Sequence, residues 1–315
     1  MLSTLFLSVL AWGQFAHAHG TITRVIGANG AVMPGLTILD GTPRSSTSAA
    51  SGAQVDTSVI RDPELATSKA SALGRTSKGP VDAARVIKTF MQGVKGRSLA
   101  DTILGGGEEA TREAVSFVTG NAGAVVNGVQ DGIESSPVGD LALGAEHGVN
   151  GLLDEFFQTA KGVPSPRGYI EDGVKNSTGV GAKSGLPTTA SDGTLKLIYH
   201  QVNEDGAGPL LVDIDFTSGG TDPKAFKSAE VVQNIIGVLG FSTVSSTDFP
   251  VVVKVPAGQM CSGKVAGVSG VCIARVRNSA TAGPFGGAAA FTHNPEAAKG
   301  KKDSARFRHR LLYRV

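Results

Sequence analysis

The sequence predicts a mainly β protein, and three observations indicate this class: abundant glycine, scarce aromatic residues, and short apolar segments separated by turns. Glycine accounts for 43 of the 315 residues, about twice the usual share of roughly 7%. Aromatic residues make up only 5% of the chain, and hydrophobic residues make up 41%, enough for a real core. This composition favours short strands and tight turns over a helical bundle.

The short apolar segments are concentrated between residues 193 and 293. The first of them alternates, with Leu195 and Tyr199 on one face and His200 on the other. We predict strands over 195–202, 209–216, 249–255 and 271–276. Several short strands at this spacing are typical of an antiparallel sandwich. The predicted fold is therefore an immunoglobulin-like β-sandwich with a partly helical, glycine-rich insertion.

The chain divides into five predicted parts. They are a signal peptide (1–18), the N-terminal part of the sandwich (19–98), a helical and low-complexity insertion (99–190), the C-terminal part of the sandwich (191–293) and a basic tail (294–315). Helical apolar spacing predicts helices over 81–91, 108–118 and 140–160. A Ser/Ala-rich stretch over 44–52 predicts a flexible loop.

Charge excludes several classes of protein for the chain as a whole. The net charge is +2 and charged residues are 18%, which argues against a nucleic-acid-coating protein and against an acidic disordered chain. We therefore expect no nucleic-acid partner. The basic tail is interpreted as a solvated segment, with an acidic partner surface as the alternative.

The first residues predict the compartment. Residues 1–19 carry no charged side chain, 5–12 are apolar, and Ala16-His17-Ala18 fits the small-x-small pattern of signal peptidase sites. We predict cleavage after Ala18 and secretion, with a buried N-terminal strand as the alternative. The apolar run is too short to span a bilayer, and no later run approaches 18 apolar residues, so no membrane span is expected.

Two cysteines suit an oxidising compartment. Cys261 and Cys272 flank a glycine-containing segment, and this pattern predicts a hairpin closed by a disulfide. A cysteine-based metal site is disfavoured because the sequence has no second cysteine pair. Asn176-Ser177-Thr178 is a predicted glycosylation site.

The usual catalytic motifs are absent from the sequence. It contains no G-x-S-x-G, no H-E-x-x-H and no P-loop. A glycosidase with two catalytic carboxylates remains an alternative, because the two carboxylates meet in space and leave no local sequence motif.

One feature of the N-terminus does point to metal chemistry. Cleavage after Ala18 makes His19 the first residue, with Gly20 after it. An N-terminal histidine offers two nitrogen ligands, its α-amine and imidazole Nδ1, and a second histidine would complete a three-nitrogen site suited to Cu(II). This N-terminus resembles the histidine brace of lytic polysaccharide monooxygenases. The alternative is an accident of the processing site.

Longer motifs carry a resemblance to one family. They are HGTIT (19–23), GANGAVMPGLTILDGTPR (27–44), DTSVIRD (56–62), SALGRTSKGPVDAARVI (71–87), HQVNEDGAGPL (200–210), SGGTDP (218–223), TDFPVVVKVPAG (247–258) and RVRNSATAGPFGGAAAF (275–291). These segments resemble the Gas/Mas/Egh family of fungal appressorium proteins. The resemblance implies a protein of a plant-pathogenic or related filamentous fungus, made in infection structures and associated with host penetration and virulence.

The resemblance also suggests the remaining site residues. His200 opens the HQVNEDGAGP motif and is the expected second copper ligand, with an ordinary strand histidine as the alternative. His293 is the competing ligand. Phe285, in AGPFGG, is the candidate for the axial position of the copper, with core packing as its alternative role.

Two classes of function follow. The first is a non-enzymatic virulence factor that binds copper or wall polymer without turnover. The second is a copper-dependent monooxygenase acting on host or fungal wall polysaccharide. The sequence has few residues for stacking on sugars, since its one Trp, Trp12, precedes the cleavage site. Expected partners are the host plant surface, cell-wall polysaccharide or the fungal wall, and the expected location is extracellular or cell-wall associated, with retention in the appressorium as the alternative.

Overall fold

The computed structural model describes residues 19–65, 67, 69–92 and 161–293. Over these ranges the protein is mainly β and its strands pair antiparallel. The strands are β1 (Gly20–Ile26), β2 (Val32–Pro34), β3 (Ser58–Val59), β4 (Arg75–Thr76), β5 (Gly79–Pro80), β6 (Val163–Pro164), β7 (Thr194–Gln201), β8 (Leu211–Asp215), β9 (Phe226–Gln233), β10 (Thr247–Lys254), β11 (Gly263–Val265), β12 (Val268–Arg277) and β13 (Phe285–Phe291).

The helices are few and mostly one turn long. They are α1 (Asp62–Leu65), α2 (Ala83–Gln92), α3 (Gly173–Asn176) and α4 (Gly181–Ser184), with 3-10 turns at Glu204–Gly206 and Pro223–Ala225. Among the described residues no helix combines the length and the apolar character needed to cross a membrane.

The described strands form one sheet that curls into a half-barrel. Its order is β2-β1-β7-β10-β9-β8-β12-β13-β3-β4-β5, with β11 beside β12 and β6 beside β10. The curl brings β1 against β13, which is not its hydrogen-bonded neighbour: a Cβ at Gly287 would lie 2.8 Å from Thr21 Oγ1. The immunoglobulin-like arrangement within this antiparallel class stays a prediction.

The apolar core lies on one face of β1, β7 and β10. Ile22, Leu197, Tyr199 and Val251 are completely buried there. Since side chains alternate along a strand, the residues between them point to the opposite face. That opposite face carries the candidate site.

Most of the predicted elements that fall on described residues are present. The helix over 81–91 is confirmed as α2, and the four predicted strands are confirmed as β7, β8, β10 and β12. Strands β9 and β13 were not predicted from the sequence. β13 reads FGGAAAF and lacks β-branched residues because its neighbours lie too close: a Cβ at Gly286 would lie 1.9 Å from Val276 O.

The disulfide is confirmed. Cys261 and Cys272 are bonded across the hairpin formed by β11 and β12, with their Cα atoms 5.0 Å apart. The predicted signal peptide (1–18), the predicted helices over 108–118 and 140–160, and the basic tail (294–315) lie outside the described residues. The five-part division of the chain stays a prediction.

Candidate metal centre

His19 precedes β1 and extends its pairing with β7. The carbonyl oxygen of His19 accepts a hydrogen bond from the Val202 backbone N at 2.9 Å, one step beyond the Gly20–Gln201 pair. The N-terminal residue of the predicted mature chain is therefore held in the sheet by the same ladder that orders the strand.

The register of this ladder brings His19 and His200 to the same face. Thr21 lies opposite His200, so His19, two residues before Thr21, is the diagonal neighbour of His200. Diagonal cross-strand neighbours have backbones about 7–8 Å apart, close enough for two imidazoles to share one ligand. The structure thus brings together the two histidines that the sequence analysis paired.

The His200 imidazole is oriented by a carboxylate. Asp248 of β10 lies opposite His200, and its Oδ1 is 2.7 Å from His200 Nδ1. The side chain of His200 is 1% exposed. Its Nε2 is buried and has no hydrogen-bond partner among the described residues. A carboxylate that bonds one imidazole nitrogen fixes the orientation of the ring and leaves the other nitrogen available to a metal.

An aromatic ring closes one side of His19. The Phe285 ring centroid lies 4.9 Å from that of His19, with 30° between the ring planes. Phe285 is 5% exposed and also packs with Ala280. Phe285 is therefore packed, and its ring lies against that of His19, while its axial role at copper stays a prediction.

The loop after β7 positions the backbone of His19. Asn203 Oδ1 accepts a hydrogen bond from His19 N at 2.7 Å. A Cβ at Gly206 would lie 2.1 Å from His19 O, so only glycine allows this close approach. This contact was not predicted from the sequence, although Asn203 and Gly206 both lie within the motif that His200 opens.

A buried charge cluster lies beside the site. Arg44 bonds both oxygens of Asp56, at 2.6 and 3.0 Å, and Glu171 Oε2 at 2.8 Å. Arg24 bonds Tyr169 Oη at 2.9 Å and lies 3.9 Å from Glu171 Oε1. Each of Arg44, Asp56 and Glu171 is at most 1% exposed. The stretch predicted as a flexible loop thus begins at a fully buried arginine.

The electrostatics of the cluster explain how it stays charged. Burial alone would raise the pKa of Glu171, but the guanidinium groups of Arg44 and Arg24 outweigh burial and hold that pKa below its usual range. For Arg24, burial would lower the pKa, and the negative charges of Glu171 and Asp248 are among the interactions that raise it instead. Arg24 therefore couples the cluster to the carboxylate that orients His200.

Two other predicted site residues lie elsewhere. His293 follows β13 at the end opposite Phe285, about 25 Å along the strand, and its Nδ1 bonds Thr189 Oγ1 at 2.7 Å. Burial lowers the pKa of His293. Asn176 ends α3 at a half-buried position, and its glycosylation stays a prediction.

The residues present fit a nitrogen-rich metal site. His19 Nδ1 and His200 Nε2 are both buried atoms. Within the described ranges no group of three or more His, Cys, Asp and Glu side chains is arranged to hold a metal. After cleavage at Ala18, the α-amine of His19 would add a third nitrogen to the imidazoles of His19 and His200.

Fold and site together define a β-rich, disulfide-bonded protein in which a histidine just before β1 is the diagonal neighbour of a buried histidine on β7. The family model described as "Egh16-like virulence factor" matches residues 17–286, and the chain belongs to that family. The family resemblance predicted from the sequence is thereby confirmed, and membership supports a role in virulence.

Comparison with individual relatives supports the same family. The chain is 45% identical over 285 residues to the appressoria-specific virulence factor GAS2 of Pyricularia oryzae strain 70-15, a match covering 90% of this chain and 86% of that protein. It is 32% identical over 155 residues to the appressoria-specific virulence factor GAS1 of the same strain, covering 46% of this chain and 57% of GAS1. No solved structure matches the chain.

Proposed function

We propose that this chain is a secreted virulence factor of the appressorium that binds one copper ion at its N-terminus. The ligands are the α-amine and Nδ1 of His19 and Nε2 of His200. The observation that carries the proposal is the buried, unpartnered Nε2 of a histidine whose Nδ1 is held by Asp248. A neutral imidazole with this hydrogen bond presents a lone pair, not a proton, at Nε2.

The chain's own groups have distinct roles in this proposal. Asp248 fixes the tautomer and ring orientation of His200. Asn203 accepts a hydrogen bond from His19 N and so directs the amine. Phe285 covers the His19 ring and limits the access of water to one side. Copper held by His19 and His200 would supply one-electron redox chemistry.

The second candidate function is a copper-dependent monooxygenase acting on host or fungal wall polysaccharide. The packing of Phe285 against His19 favours it, because an aromatic ring at this place would shield a copper held by His19 and His200 from water on one side. The scarcity of Trp and Tyr argues against a flat sugar-stacking surface. The two candidates therefore share one metal site and differ in whether bound copper turns over a polymer.

Secretion is part of the proposal because the amine ligand exists only after cleavage. The disulfide between Cys261 and Cys272 supports an oxidising compartment. We place the protein outside the cell or on the wall, facing the host surface, with retention in the appressorium as the alternative.

The proposal predicts tight copper binding that depends on both histidines and on the free amine. The test is copper titration followed by electron paramagnetic resonance on protein whose first residue is His19. We expect an axial, nitrogen-rich spectrum that is lost in His200→Ala and in protein with one additional residue before His19.

A matched variant, His293→Ala, removes a histidine far from the site and should leave the spectrum unchanged. Thermal unfolding of each variant checks that the fold is intact. Copper binding that is indifferent to both the N-terminal extension and His200→Ala would refute the proposal. If the site is confirmed, release of oxidised sugars from wall polysaccharide decides between the two candidate functions.

A further inference from the structure

An exposed apolar turn follows β9 and carries no role in the metal site. Residues 236–241 form this turn, which we name the apolar tip. Four of its side chains are large and at least half exposed: Ile236 (71%), Val238 (75%), Leu239 (71%) and Phe241 (50%). The stretch 234–247 around the tip contains no charged residue. Single exposed apolar residues are normal, but a cluster of this size marks an interaction surface.

The tip is a regular turn closed by backbone hydrogen bonds. Val238 and Phe241 exchange two backbone bonds, at 2.9 and 3.0 Å. Ala207 N donates to Gly240 O at 3.0 Å, and Gly240 N donates to Gly208 O at 3.0 Å. The exposure of the four side chains is therefore a property of an ordered turn and not of a loose loop.

Leu239, at the apex of the turn, has a backbone conformation that leucine seldom adopts. Leu239 and Gly240 have φ values of 52° and 87°, the left-handed pair that defines a two-residue hairpin turn and favours Asn-Gly or Asp-Gly. Leucine is disfavoured at positive φ because its Cβ crowds the following carbonyl. A leucine at this position, with its side chain in solvent, gives no benefit to the fold, which indicates a role for the side chain itself.

We propose that the apolar tip docks this protein onto an uncharged aliphatic surface, such as a layer of long-chain hydrocarbon. Charge supports this occupant: the tip lacks the Lys and Arg residues that draw proteins to anionic membranes, and the exposed Glu204 beside it is acidic. A second copy of the chain is disfavoured by area. The tip offers on the order of 500 Å², whereas a stable interface needs about 800 Å² from each partner.

Docking at the tip would also bring the histidine pair toward the same surface. The tip bonds to the loop of Ala207 and Gly208, and that loop contains Asn203 and Gly206, which contact His19. The docking itself requires no metal, so it is tested independently of the copper proposal.

The test is coflotation of the protein, made from its full coding sequence, with particles of a long-chain n-alkane wax, which are less dense than water. Ile236→Ser combined with Leu239→Asn removes two exposed apolar groups, and asparagine suits the positive φ of its position. We expect this variant to bind at least tenfold more weakly than the wild type, with or without copper. The matched control, Ile170→Ser with Met260→Ser, removes two exposed apolar groups elsewhere and should bind like the wild type.

Three outcomes would overturn the proposal. They are equal binding of wild type and tip variant, stronger binding to vesicles containing an anionic phospholipid than to wax, and concentration-dependent dimerisation in sedimentation velocity that the tip variant abolishes. Thermal unfolding of both double variants shows that loss of binding does not come from loss of the fold.

Discussion

At the scale of single residues, the hydrogen bond between Asp248 and His200 determines which imidazole nitrogen is available. Without the carboxylate, the proton of a neutral imidazole has no fixed place, and either nitrogen can carry it. His200 lies between β1 and β10 and is fully buried, so its ring cannot turn out to find water. Asp248 is therefore a positioning residue for the proposed metal.

Asp248→Ala should weaken copper binding by about 10–100-fold, the usual effect of removing the carboxylate behind a ligating histidine. Asp248→Asn should restore much of the affinity, because the amide oxygen can still accept the bond from Nδ1–H. Competitive copper titration measures both. Equal affinities of the wild type and Asp248→Ala would show that the carboxylate has only a structural role.

The candidate site was partly predictable at this scale. His19 follows from the processing pattern, and His200 from the motif it opens. Asp248 was missed, although an acidic residue at the start of the apolar segment 249–255 is a usable signal. Nothing local indicates that it meets His200, because the pairing depends on strands whose residues are 48 positions apart.

At the scale of elements, the cluster of Arg24, Arg44, Asp56 and Glu171 connects β1 to two segments distant in sequence. Glu171 and Arg44 are 127 residues apart. Removing one member of such a buried pair leaves an uncompensated charge, which costs far more than losing a surface pair. The cluster therefore fixes where these segments meet the edge of the sheet.

Glu171→Gln should reduce the free energy of unfolding by about 3 kcal/mol at pH 7. The pKa of Glu171 in the folded protein is below its ordinary value of 4.5, so its stabilising effect is fully present above pH 4.5 and is lost as the pH falls through the folded pKa. Denaturant unfolding across pH 3–7 should therefore show the wild type and variant converging at the acid end.

A suitable control is Glu64→Gln, which removes a carboxylate from a more exposed ion pair with Arg75. Such pairs contribute about 1 kcal/mol or less. A difference between the wild type and Glu171→Gln that stays constant from pH 7 to pH 3 would contradict the assignment of a lowered pKa.

Elements with a clear period were predictable, and those shaped by close approach were not. α2 and β7 follow from apolar spacing. β13 does not, because Gly286 and Gly287 are required by the backbones of Val276 and Ile22 that pass next to them. The curl of the sheet determines contacts of this kind, and glycine is the only signal of them in the sequence.

At the scale of the whole molecule, one disulfide ties the middle of β12 to the segment before β11. It closes a loop with a sequence separation of 11. On the chain-entropy account, a loop of this size stabilises the folded state by about 3 kcal/mol by restricting the unfolded chain.

Cys261→Ser with Cys272→Ser should therefore lower Tm by about 6–12 °C, given about 2–4 °C per kcal/mol for a domain of this size. Circular dichroism melting measures the shift. Reduction of the wild type should reproduce it, and reduction of the variant should change nothing. An unchanged Tm in the double variant would show that the hairpin is held by its strand pairing alone.

The position of β1 within the sheet has a consequence for biosynthesis. β1 leaves the ribosome before β7, the strand with which it pairs, and the two are about 180 residues apart. At about 5–20 residues per second, the partner strand appears roughly 10–40 s after β1. Within the described residues, β1 has only β2 to pair with until β7 emerges, so His19 and His200 come together only after β7 has been made.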